Sequence, residues 1–135
     1  MKLLRAVLHV ALVLWAGSLW SLLWVAAILF QLPSDRHSAG LIAARLFGIE
    51  TYLGLGVAAL ALLLPGRAHF RFGFAAAALL AANEWILKRA MSSAQIHGRA
   101  LGLGFGAWHG VSAALYVAAC ICVFVVVYND EVRHA

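Results

Sequence analysis

The sequence predicts an all-α integral membrane protein, a four-helix bundle in a single domain over residues 1–135. Three observations predict it. Four apolar stretches, at about 5–30, 41–64, 72–88 and 101–128, are each long enough to cross a bilayer, since a hydrocarbon core of about 30 Å takes roughly 20 apolar residues as a helix. Hydrophobic residues make up 65% of the 135-residue chain and charged residues only 11%. An average soluble domain is about half apolar, so a soluble fold of this size could not hide so much apolar surface. Finally, the turn-forming residues gather in short links between the stretches. The net charge of +5 could suggest nucleic acid, but the basic residues are scattered and form no groove-binding stripe. The partner this composition selects is the lipid bilayer, with anionic headgroups as the counter-charge.

The first span follows Met1-Lys2-Leu3-Leu4-Arg5, which looks like the start of a signal peptide. The apolar run after it is roughly 25 residues, too long for the 7–15 of a cleaved leader, so an uncleaved span is expected. It ends at Gln31-Leu32-Pro33-Ser34-Asp35-Arg36-His37, where proline and polar residues break the helix. Pro65-Gly66-Arg67 stops span two, and a basic link through His69 and Arg71 leads to span three. A longer polar link, Arg89 to Arg99, leads to span four. Four crossings return the chain to its starting side. Counting basic residues gives a tie between the two sides, but Arg45 and Lys88 fall within spans and count less. Lys2 and Arg5 precede the first span, which favours both termini in the cytoplasm, in a bacterial inner membrane. Span four opens with Gly98, Gly102, Gly106 and Gly110, with Gly104 between. Glycines four apart line one helix face and admit a second backbone. The ladder predicts close helix packing, within the chain, in a homodimer or against a partner in a membrane complex.

Ionisable and strongly polar residues inside a membrane are costly and normally face the bundle interior. Here they are His9, Arg45, Glu50, Asn83, Glu84, Lys88 and His109. At about 1.5 Å per residue, Glu50 lies roughly 13 Å deep, Glu84 roughly 6–12 Å and His109 roughly 12 Å, measured from one side. Three groups from three spans thus share a layer, which Trp20, Ser21 and Trp24 also reach. His9 lies roughly 15 Å away, so one metal ion or haem could not easily take both histidines. His109, Ser112 and Tyr116 share a helix face. Glu84 and Lys88, four apart, are placed to form an ion pair. In span two, Arg45, Gly48, Tyr52 and Gly56 form one stripe and Glu50 points away from it. Either Glu50 or the Arg45–Tyr52 stripe faces the axis. His109 is expected to point inward with Ser112 and to meet Glu50, Asn83, Glu84 or Tyr52, in that order. A hydrogen bond that merely ties helices together would produce the same pattern. Cys120 and Cys122 sit on nearly opposite sides of a helix and read as small apolar fillers.

These residues resemble the transmembrane-protein-205-like family, largely described as a domain of unknown function. The likeness rests on His9, Trp15-Ala16-Gly17-Ser18, Leu29-Phe30, Leu32-Pro33, Ala39-Gly40-Leu41-Ile42 through Arg45-Leu46-Phe47, Asn83, and His109-Gly110-Val111-Ser112. It covers about three-quarters of the chain. The chain departs from some relatives at Tyr116, where they carry asparagine, and near Arg89, where they carry proline. The family is distantly similar to copper-resistance-D-type membrane proteins and to the haem-J-type oxidase, which implies a histidine-bearing bundle. The proline-arginine and tyrosine-histidine pattern of the haem-J type is absent, so its activity is not implied.

Three functions are compatible with these residues. The first is a binding protein for a divalent metal, through His109, Glu50 and Glu84, or for haem, through His109, Ser112 and His9. Arg45, Tyr52, Asn83, Lys88 and Tyr116 would form the surrounding polar network. The second is a small proton-coupled transporter acting as a dimer, since intramembrane carboxylates carry protons and cations. The third is a non-catalytic accessory subunit. No nucleophile–base pair or phosphate loop points to an enzyme.

Overall fold

In a computed structural model, residues 2–31, 36–64 and 70–134 are described. They form helices α1 (Lys2–Gln31), α2 (Arg36–Leu62), α3 (Arg71–Ala82), α4 (Lys88–His97) and α5 (Phe105–His134), with a π-helical turn, Asn83–Leu87, joining α3 to α4. No strand occurs among the described residues. The breaks expected at Pro33 and at Pro65-Gly66-Arg67 lie outside them. Lys2–Leu29, Ser38–Leu62 and Phe105–Asn129 are each long and apolar enough to cross a membrane. The fold of the described residues is thus all-helical, and three of the helices have the length and apolarity that an integral membrane protein requires.

The inward face of each helix follows its sequence. Leu12, Trp15, Leu19 and Leu22 of α1 recur every three or four residues and are buried. Val57, Ala58 and Ala61 continue this core on α2, Ala76, Ala77 and Leu80 on α3, and Tyr116, Ala119, Cys120, Val123 and Val126 on α5. The helices pack as a ring: α1 on α2, α2 on α3, α3 on α5 and α5 on α1. Side chains on the outside stay apolar. Leu3, Val10, Leu14, Trp24 and Ile28 of α1 are all exposed, as are Ile121 and Phe124 of α5. Such a surface exceeds what a soluble monomer displays and suits hydrocarbon.

Close packing is set by glycines other than the expected ladder. A Cβ on Gly54 would lie 2.5 Å from Cζ2 of Trp15, and one on Gly73 would run into the ring of Phe70. Gly98 and Gly102 instead have positive φ, 80° and 81°. Gly98 ends α4, the usual use of a glycine past a helix C-terminus. Leu101 and Gly102 are the two central residues of a tight hairpin, with Leu101 at φ 49°. Its ends pair through Ala100 N–H to Leu103 O (2.9 Å) and Leu103 N–H to Ala100 O (3.0 Å). Two consecutive positive φ values define the type I′ geometry. Trp108 Nε1 caps this hairpin by donating to Ala100 O at 2.9 Å. Gly106 and Gly110 do lie on a helix but are exposed, with nothing within 4 Å of a Cβ. The ladder is thus not one packing face within the chain. Spacing alone cannot separate a helical glycine from one chosen for its left-handed backbone.

Candidate functional site

At mid-bundle a layer of side-chain hydrogen bonds closes around the ring of helices. Ser18 lies on the inner half of α1, between Trp15 and Leu22. Its Oγ is 2.9 Å from Trp15 O and 3.1 Å from Glu50 Oε2. A serine within a helix commonly returns its proton to a preceding carbonyl; here the same hydroxyl also reaches a carboxylate on α2. The next interface is joined by Thr51. Its one hydroxyl proton is shared between Phe47 O (3.1 Å) and Leu80 O (3.4 Å). Asn83 and Ser112 then clasp each other between the π-turn and α5. Ser112 Oγ donates to Asn83 Oδ1 at 2.7 Å, and Asn83 Nδ2 donates to Ser112 O at 3.4 Å. Tyr116 completes the layer by donating its hydroxyl to Leu19 O at 3.1 Å. Its ring meets Phe47 edge-on, with centroids 4.7 Å apart. Every adjacent pair of the ring thus shares a hydrogen bond in this layer. In an apolar medium each satisfies groups that would otherwise be costly to bury.

Glu50 is the ionisable member of the layer. It is 7% exposed, near the middle of α2. Its carboxylate is within hydrogen-bond distance of the Ser18 hydroxyl on α1. One turn along, the Trp15 indole lies against Gly54; its Nε1 is buried with no hydrogen-bond partner. Glu84 occupies a separate place. Its carboxylate would lie 3.5 Å from a Cβ on Gly48, and it pairs with Lys88 at 2.7 Å. The ion pair is the one expected from the i, i+4 spacing.

The expected site assembles in a different form. Glu50, and not the Arg45–Tyr52 stripe, faces the axis, because Arg45 and Tyr52 are both exposed. Asn83 meets Ser112, whereas His109 does not point inward. His109 is exposed, and its ring stacks on Phe105 with centroids 6.1 Å apart. The helix it belongs to starts at Phe105, not near Leu101. His109 is therefore only one turn inside α5, roughly 6 Å along it rather than 12 Å. Trp20, Ser21 and Trp24, expected in the same layer, are exposed. The metal set His109, Glu50 and Glu84 does not converge: the first faces outward, the second meets α1, and the third lies beside Gly48 and Lys88. No group of three or more His, Cys, Asp or Glu among the described residues could hold a metal ion. His9 is half-buried near the start of α1, well before Ser18 in the chain. The haem set of His109, Ser112 and His9 is likewise divided, with Ser112 spent on Asn83. Cys120 is buried and Cys122 half-buried, both free thiols.

Sequence reasoning missed Ser18, Thr51 and the orphaned Trp15 indole. Ser18 could have been found by its phase, since it lies three residues from Trp15 and four from Leu22, both on the buried face. No protein-family model, curated protein or solved structure matches this chain.

Proposed function

We propose that the protein is a small proton-coupled membrane transporter in which Glu50 binds and releases the proton. Its chain would cross the membrane four times, with the α3–π-turn–α4 segment as the third crossing. Both termini would be cytoplasmic, in a bacterial inner membrane. A second copy would pack on the outer face of α5, where Gly106 and Gly110 are open.

One observation carries this reading. Four neutral hydrogen bonds would suffice to tie the ring together, and three of the four interfaces use neutral groups alone. The fourth uses a carboxylic acid, buried at mid-span and held by a serine hydroxyl. An ionisable group there is more costly than glutamine or serine, and such groups mark proton pathways. Ser18 places a hydroxyl beside it that can donate or accept.

The test uses protein reconstituted in vesicles with an internal pH dye and tetraphenylphosphonium as the probe cation. Outward movement of the cation is expected to drive inward movement of protons, and Glu50→Gln should abolish that coupling while leaving the protein folded. Carbodiimide should label Glu50 and block transport. Wild-type vesicles with no coupled flux, or a Glu50→Gln variant that retains it, would overturn the assignment. Metal analysis and a haem spectrum of the same preparation test the competing expectation of a bound metal or haem, for which the ligand set does not converge within the chain.

A further inference from the structure

We propose that the rim of the bundle at the π-turn binds the headgroup of an anionic phospholipid. The groove there is about 470 Å³ and is lined by Glu84, Trp85, Lys88, Arg89 and Ser92. It stands where the helix changes character. The chain from Phe72 to Leu87 is almost wholly apolar, and Lys88 to His97 is polar. Lys88 lies 17 residues beyond Arg71 along one continuous helical run, about 25 Å at the usual rise, which is close to the thickness of the hydrocarbon core. With this segment as the third crossing, the reading on which this inference rests, the groove is at headgroup level.

Its chemistry fits a phosphate diester with acyl chains attached. Two cations face one carboxylate among the lining residues. Glu84 is committed to Lys88, which leaves Arg89, exposed on the rim, as the excess positive charge. A guanidinium presents paired donors that match phosphate oxygens. Trp85 and Ile86 are exposed beside it, at 45% and 65%. The indole suits the boundary between headgroup and chain, and the isoleucine suits the chain itself. Free phosphate would leave both apolar groups unused, so the occupant is a lipid.

The experiment measures lipid binding to the full-length protein in mild detergent by thermal-shift titration. Phosphatidylglycerol, phosphatidylcholine and inorganic phosphate are compared. Phosphatidylglycerol is expected to stabilise the protein at several-fold lower concentration than phosphatidylcholine, with inorganic phosphate inert. Arg89→Gln should weaken the apparent affinity for phosphatidylglycerol about fivefold, the size of one basic contact with an anionic surface. Trp85→Leu keeps every charge and should also weaken it. Arg71→Gln, at the far end of the helix, should not. Equal losses from Arg71→Gln and Arg89→Gln would mean a diffuse basic surface and overturn the proposal. Equal affinity for phosphatidylcholine, or full competition by inorganic phosphate, would also overturn it.

Discussion

At the residue scale, the bundle depends on a few polar side chains that each answer a buried backbone or side-chain group. Tyr116 is the simplest case. Its ring fills the core against Phe47, and its hydroxyl reaches a carbonyl in the middle of α1. Tyr116→Phe keeps the ring and removes one hydrogen bond, so a loss of about 1 kcal/mol is expected in a detergent unfolding titration. Asn83 and Ser112 form a reciprocal pair, so their effects should not add. A double-mutant cycle with Asn83→Ala and Ser112→Ala is expected to give a coupling of roughly 0.6–1.7 kcal/mol, the range for such bonds between membrane helices. Fully additive losses would show that the two residues act separately. Trp15 is the exception among these side chains. Its indole N–H has no partner because the ring is pinned on Gly54. Gly54→Ala would drive a methyl group into that ring and should cost about 1–3 kcal/mol, as overpacking usually does.

At the element scale, the link between α4 and α5 and the π-turn matter most. The four ladder glycines divide into two kinds, and substitution separates them. Gly102→Ala places a side chain at φ 81° and should destabilise the hairpin by about 1 kcal/mol. Gly106→Ala meets open space within the chain, so in the monomer in detergent it should be neutral or stabilise by up to about 1 kcal/mol, because alanine is the better helix former. Equal losses at both positions would contradict the hairpin. The π-turn inserts an extra residue, as the Lys88 N–H bond to Asn83 O, five residues back, records. This places Asn83 against Ser112 and, one residue on, Glu84 against Gly48. Such turns recur at functional sites, and both faces of this one are in use.

At the scale of the whole molecule, the question that decides topology is whether α3 to α4 crosses the membrane. Three helices meet the length and apolarity of a span by themselves. The third in chain order is interrupted by the π-turn and continues as polar α4. Parity gives a clean test. A fluorescent tag that folds only in the cytoplasm is expected to be bright at both termini if the chain crosses four times with its termini in the cytoplasm. Three crossings would leave one of the two tags dark. α3 packs on α2 and α5 and shares the same core, so the four-crossing arrangement proposed above predicts the same signal at both termini.

The sequence by itself determined that this chain is helical, that it belongs in a membrane and where its apolar stretches lie. Those follow from length and hydropathy, which act residue by residue. It also named Glu50, Asn83, Ser112, Tyr116 and the Glu84–Lys88 pair as intramembrane polar groups, because such residues are rare in hydrocarbon. Only the tertiary structure decided which of them meet. Rotation of α2 about its axis turns Glu50 inward and sends Arg45 and Tyr52 outward, and nothing in the local pattern of α2 fixes that rotation, since its apolar residues surround it on all sides. The start of α5 at Phe105 brings His109 to the rim, a consequence of a hairpin whose glycines have the same spacing as a packing motif. Ser18 enters the site because Trp15 beds on Gly54 and fixes how α1 lies against α2. These are contacts between residues far apart in the chain, and a linear pattern carries no record of them.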